Sequence, residues 1–233
     1  MAREHDFYIR FTLSEFLRDS ALPEEPQDFI NEFHFTINLF NESGEDVGLA
    51  GRGVMSQILF GLAVDNHFAL SHVMDASQSI LDMSEMLFEW EEDKEFYSKI
   101  EDYFTDIPLM NSNICYLENL EILPRYRGLG LGKKVIMNLA QRFYDSCGLW
   151  IIRAFPLQHN LNEPDFANRK WNDWEKMMGY PNFEPDFEKS QYKLFHYYQQ
   201  MGLKNPFDEE YFIATPYQLL RKDSGSALAF HDK

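Results

Sequence analysis

One uninterrupted stretch, Ile114 to Cys147 (ICYLENLEILPRYRGLGLGKKVIMNLAQRFYDSC), restricts the fold more than any other part of the chain. Ile114 to Leu123 reads as a strand, with Tyr116, Glu118, Leu120 and Ile122 on one face and Cys115, Leu117, Asn119 and Glu121 on the other. Pro124 stops the ladder because it has no amide hydrogen to give. Gly128, Gly130 and Gly132 then fall at alternate positions of a loop. Beyond it Val135, Ile136, Leu139 and Phe143 recur at helical spacing, which predicts a helix from near Gly130 to near Gly148. Strand, glycine loop and helix in this order define an α/β unit around which the remaining segments must pack.

The glycines let backbone approach a ligand closely, and the open amides and dipole of a helix N-terminus attract an anion, so a phosphate-bearing ligand is the natural occupant. Spacing then narrows the choice. A Walker loop has four residues between its outer glycine and Gly-Lys, followed by Ser or Thr. Here Gly128 and Gly132 enclose only Leu129, Gly130 and Leu131, and Lys133 precedes Lys134. A dinucleotide fingerprint requires G-x-G-x-x-G with an acidic residue about 20 positions on, whereas this loop is G-x-G-x-G without one. Neither motif fits.

Arg127, Gly130 and Gly132 do form Arg-x-x-Gly-x-Gly, after a strand that ends Leu120-Glu121-Ile122-Leu123-Pro124. This arrangement resembles the acetyl-coenzyme A loop of the GNAT superfamily of N-acetyltransferases. The run YLENLEILPRYRGLGLG is also similar to the matching segment of spermidine/spermine N-acetyltransferases. A weaker resemblance covers Tyr198-Gln199-Gln200-Met201-Gly202-Leu203, which looks like the late GNAT helix carrying a tyrosine ahead of a glycine, with Leu203 in place of the usual aromatic residue. The resemblance implies an α/β (α+β) fold with a mixed, splayed sheet flanked by helices. Extra helices before the cofactor strand and a long insertion after the next strand depart from the minimal pattern.

It also implies roles. Acetyl transfer to an amine needs a base, because an alkylammonium of pKa about 10.4 must lose a proton, and an acid for the departing thiolate, of pKa about 8.5. By resemblance Glu118 is the base and Tyr198 the acid, with the adjacent Tyr197 a rival that a one-residue change of helix register would favour. Backbone amides of Leu120, Glu121 and Ile122 are the expected oxyanion donors. Amides of Arg127, Gly128, Leu129, Gly130, Leu131, Gly132 and Lys133 are the expected pyrophosphate cradle. Arg125, Lys133 and Lys134 add positive charge beside it. Cys115 as an acetyl-carrying nucleophile is the alternative, although a buried strand cysteine is commonly inert. No metal is called for.

The rest of the chain fits one globular domain, 1 to 222, followed by a mobile tail, 223 to 233. The sequence holds 233 residues, enough for a substantial core, and 21 Phe, 12 Tyr and 4 Trp to fill it. Two cysteines make no disulfide framework, the charged start suits no signal peptide, and no apolar run approaches the roughly 20 residues of a membrane span, so a cytoplasmic location is expected. A net charge of −17 disfavours nucleic acid and anionic membranes and suits a cationic substrate, though such a surface also simply keeps soluble proteins apart.

Residues 5 to 13 read as a first strand. Residues 29 to 40 read as a second, with Phe29, Phe33, Phe35, Ile37 and Leu39 on one face, and Val47 to Ala63 as the return strand or strands. From His67 to Trp90 the spacing becomes helical, with Met and Leu as core, and a second helix is expected over Lys94 to Phe104. Asp82, Glu85 and the carboxylates from Glu89 to Asp102 form an acidic band, either a solvated face or a guide for a cation. Leu149 to Phe155 is a further strand, Gln191 to Met201 a helix stopped by Gly202, and Tyr211 to Thr215 the last strand. The link 157 to 187, with Trp171, Trp174, Tyr180 and several carboxylates, is read as an acceptor-site lid, or else as a surface insertion or homodimer contact. The function expected is acetyl transfer to a primary amine, first a polyamine-like small molecule, second a protein lysine or N-terminus. A non-catalytic acyl-coenzyme A sensor is the reading from another class.

Overall fold

The computed structural model describes residues 6–13, 23, 25–41, 43–88, 100, 111–159, 170–207 and 210–221. Six strands form one mixed sheet in chain order: β1 (Asp6–Leu13), β2 (Ile30–Phe40), β3 (Asp46–Ile58), β4 (Ile114–Ile122), β5 (Leu149–Arg153) and β6 (Tyr211–Ala214). Neighbours are antiparallel except β4 and β5, the parallel pair joined through helix α4 (Leu131–Arg142). Helices α1 (Phe60–Asp65), α2 (Leu70–Met74) and α3 (Gln78–Leu87) precede β4, while α5 (Asp173–Met177), α6 (Phe187–Met201) and α7 (Pro216–Arg221) follow β5. The class is therefore mixed α/β, as the central stretch required.

The sheet separates two apolar clusters. On one face Phe35, Ile37 and Trp150 pack with Val135 and Leu139 of α4, Met201 of α6 and Leu219 of α7. On the other, Tyr116 and Ile151 pack with Phe60 of α1, Met74 of α2 and Met83 and Leu87 of α3, so the Met and Leu stripe is core. Phe29 belongs to this second cluster, opposite Phe35 and Ile37, because it lies in a 3-10 turn (Pro26–Phe29) before β2 begins. The hairpin between β2 and β3 closes where Asn41 Oδ1 accepts from the amides of Ser43 and Glu45, both at 2.9 Å, with Gly44 at φ +76°.

Several boundaries differ from the expectations. The return segment is a strand followed by α1, since Leu59 leaves the sheet and its amide bonds to the Phe29 carbonyl (2.9 Å being typical, here 2.8 Å). Ser77 caps α3 through Ile80 (3.3 Å), which separates it from α2. Helix α4 ends at Arg142 and β5 at Arg153, both earlier than expected, whereas α6 starts earlier, at an Asp186 cap. Gly202 ends α6 at φ +88° as anticipated. The short α7 has no counterpart in the sequence reading. The expected helix over Lys94 to Phe104, the acidic residues from Glu89 to Glu95 with Glu101 and Asp102, and the tail lie outside the described residues. No described helix is long and apolar enough to cross a membrane.

What positions the site is an asymmetry in β4. Its ladder to β3 runs along the whole strand to Ile122, but its ladder to β5 stops at Leu117. The β3 register also shifts between Val54 and Met55, leaving Glu118 as an extra residue opposite that step. The bulge reverses the alternation read from the sequence. Tyr116 packs on the α1–α3 side, yet Leu120 and Ile122 pack with Leu117 on the α4 side.

Candidate functional site

The edge of β4 beyond Leu117 opens a cleft of about 750 Å³. Its walls are Glu118 to Ile122 of β4, the glycine loop with the first turn of α4, the chain after β5 from Phe155 to Gln158, and one stripe of α6. Met178, Tyr180 and Phe183 close one end. The α6 stripe, Ser190, Lys193, Leu194, Tyr197 and Tyr198, has the spacing of a single helix face.

Backbone direction along the open half of β4 is fixed by alternation. The carbonyls of Asn119 and Glu121 crowd Gly53 and Gly51 on β3, and the Leu123 amide donates to Ala50 on the same side at 2.9 Å. Leu120 and Ile122 therefore turn their polar groups to the opening. Ile122 spends its carbonyl on Arg127, and Leu120 lies beyond the last rung shared with β5. Of the three amides expected as oxyanion donors, that of Glu121 faces β3 instead; the physical reason is the two-residue repeat of the strand.

The glycine loop is shaped as the sequence required. Gly128 and Gly130 both have φ +73°, a left-handed conformation costly for other residues, and a Cβ on either would meet open space. Gly130 is the N-cap of α4 and no side chain caps it. The first amides of α4 thus lack helical partners and border the cleft. Arg127, Gly128, Gly130, Leu131 and Gly132 line it; Leu129, 65% exposed, points to solvent, and Lys133 is half-buried outside the lining.

Arg127 is a clamp. Its Nε donates to the Ile122 carbonyl (2.6 Å), its Nη2 to the Met178 carbonyl (2.9 Å), and its guanidinium lies 4.5 Å from the Phe183 ring centroid. Glu121 anchors the same roof with its carboxylate, buried to 8% exposure. It accepts from Tyr180 Oη (2.7 Å), Trp174 Nε1 (2.9 Å) and Arg52 Nε (2.6 Å). Burial first, and then the Glu121 charge, hold the Tyr180 phenol well above its ordinary range. Arg52 covers one face of the Trp174 ring at 4.0 Å, as Arg127 does for Phe183. The segment expected as a lid is tied to β4 in this part by these bonds. Arg52, remote in sequence, carried no signal of this role.

Glu118 and Tyr198 border the same cleft, Glu118 half-buried at the bulge. The two tyrosines of α6 occupy different places. Tyr198 is 7% exposed and packs against Phe212 at 5.5 Å between centroids, and burial, then neighbouring Tyr197, push its phenol up. Tyr197 is 36% exposed and its hydroxyl stands over the first turn of α4, 2.9 Å from where a Cβ on Gly132 would lie. Cys115 is fully buried beside Cys147, and burial raises its thiol well above the ordinary range, so it is no thiolate nucleophile. Among the described residues no cluster of three His, Cys, Asp or Glu could hold a metal ion.

No protein-family description, curated protein or solved structure matches the chain. The reading of the site therefore stands on its geometry and on the motif.

Proposed function

We propose that the chain is a GNAT-type N-acetyltransferase that carries acetyl from acetyl-coenzyme A directly to the primary amine of a cationic, polyamine-like small molecule. One observation carries this reading: a strand edge released from its parallel neighbour leads, through a glycine loop, to an uncapped helix N-terminus in a single cleft. The amides of Gly130 to Gly132 suit a diphosphate, and the polar backbone of Leu120 suits an amide-bearing arm lying along the strand edge. The absent side chains at Gly128 and Gly130 leave the room that such a ligand needs. Bound there, acetyl-coenzyme A would supply the thioester whose carbon–sulfur bond breaks as the carbon–nitrogen bond forms.

The chain's residues manage the protons. Glu118 takes one from the ammonium, directly or through water, to free the lone pair that attacks. The Leu120 amide, directed into the opening, would donate to the developing oxyanion. Tyr198 keeps its proton at Oη, since burial raises its pKa, and offers it as a hydrogen bond to the departing sulfur. The nitrogen's second proton ends on that sulfur. Tyr197 stands at the phosphate end of the cleft, over Gly132, which favours Tyr198 as the donor to that sulfur.

Calorimetric titration with acetyl-coenzyme A tests the reading, with Gly130→Glu as control. A carboxylate at that cap repels a diphosphate, and Glu is also strained at φ +73°, so affinity should fall at least tenfold, about 1.4 kcal/mol. Turnover of a diamine or polyamine should then fall by roughly 100-fold in Glu118→Gln and in Tyr198→Phe. Absence of binding to the intact protein would refute the transferase.

A further inference from the structure

We infer that Lys193 is a second anion-binding point of the cleft, which selects a ligand carrying a phosphomonoester in addition to the diphosphate on α4; this rests on the coenzyme A reading above. The chain has 38 acidic and only 21 basic residues, and several of its described cations are already engaged. Arg10, Arg52, Arg153, Lys176 and Lys189 each face a carboxylate, and Arg127 binds backbone carbonyls. Lys193 lines the cleft and is exposed, and among the described residues no carboxylate lies within ion-pair distance of it. An unpaired ammonium in so acidic a chain marks where an anion is favoured.

Its position is set by Tyr197. Lys193 lies four residues earlier on α6, about one turn or 6 Å along the axis. Tyr197 Oη stands over Gly132, and Lys193 lines the same cleft as the first residues of α4, one turn of α6 away from that contact. The surroundings are neutral or already engaged. Gln158 Nε2 donates to Ser190 Oγ (3.0 Å), Ser190 Oγ donates to the Glu184 carbonyl (3.2 Å), and Glu184 Oε1 accepts from the Asp186 amide (3.4 Å). Coenzyme A presents the matching chemistry: one ribose away from its diphosphate is a 3′-phosphate, carrying roughly −1.5 to −2 charges at neutral pH. A lysine meets such a group as a point charge.

The experiment is calorimetry of coenzyme A and of dephospho-coenzyme A, which lacks only that phosphate, against the full chain, Lys193→Ala and Lys189→Ala. Lys189 sits one turn earlier on α6, is paired with Asp186 and does not line the cleft, so its variant makes the same change of charge away from the site. The expected result is a loss of about tenfold for coenzyme A in Lys193→Ala, dephospho-coenzyme A unchanged, and neither ligand affected by Lys189→Ala. Added salt should shrink the preference for coenzyme A in the intact chain and leave it small in Lys193→Ala. Equal loss of both ligands, or of neither, overturns the assignment to a phosphomonoester while leaving the transferase standing. Failure of the intact chain to bind either ligand removes both readings.

Discussion

From Ile114 to Leu117, β4 is laddered on both edges and fully enclosed; from Glu118 to Ile122 it keeps β3 alone, and every residue but Glu121 is only half-buried. Both halves share one strand and one partner, β3. The difference is the parallel neighbour, which pairs over Leu149–Ile152 and then turns away toward β6. In the closed half, backbone polarity is satisfied within the sheet and side chains supply stability. In the open half the edge of the strand lines the cleft, and further stability comes from outside the ladder. The Glu121 carboxylate and the Arg127 guanidinium provide it by tying the 171–183 segment to the strand end. An enclosed half and a cleft-lining half are thereby separated along nine residues.

Substitutions should expose that separation. The largest effect is expected in the closed half: Trp150→Ala, at a fully buried residue paired with Cys115, should cost about 3–5 kcal/mol in urea unfolding. Equal stability to the parent would mean the two halves are not distinct. Next comes alkaline pH. Burial pushes the Tyr116 phenol from 10.0 up to about 12, with the Ser79 bond acting the other way. The neutral form is the one the fold favours, so this contribution is intact below pH 10 and is lost as pH rises through about 12. Stability should fall there by on the order of 2–3 kcal/mol, and Tyr116→Phe should flatten that fall in equilibrium unfolding.

Glu121→Gln should cost about 1–2 kcal/mol, a modest figure because Arg52 is half-exposed, and should alter Trp174 fluorescence as the roof loosens. An unchanged spectrum would deny that Glu121 holds the roof. The smallest effect is reserved for the open half: Gly132→Ala should change stability by less than about 1 kcal/mol, since only the flexible end of Tyr197 must move. Its ligand affinity should nevertheless drop, which titration would detect. A large loss of stability there would erase the contrast.

Much of this was legible in the residues. The strand ending at Pro124, the glycine loop and the helix after it announce themselves locally, through alternation, a missing amide hydrogen and helical spacing. Glu118, Tyr198 and the loop glycines line one cleft. The face of Leu120 was not legible, because a bulge inserts one residue against a partner strand more than 60 positions earlier, and no period within β4 reveals it. Nor was Arg52, which finds Glu121 across that same pairing. Trp174 and Tyr180 were conspicuous as aromatics, yet their engagement with Glu121 depends on where a long link returns.

What the sequence determined by itself is therefore short-range: a strand-loop-helix with left-handed glycines at an uncapped helix start, set in an acidic chain with apolar segments enough for two cores. What only the tertiary structure decided is where β5 leaves β4, which backbone groups face the gap, and which of two adjacent tyrosines stands over the start of α4. Those outcomes depend on pairing register between distant strands and on the packing of α6 against α4. Such contacts are made by residues far apart in the chain, and no local pattern encodes the geometry at which they meet.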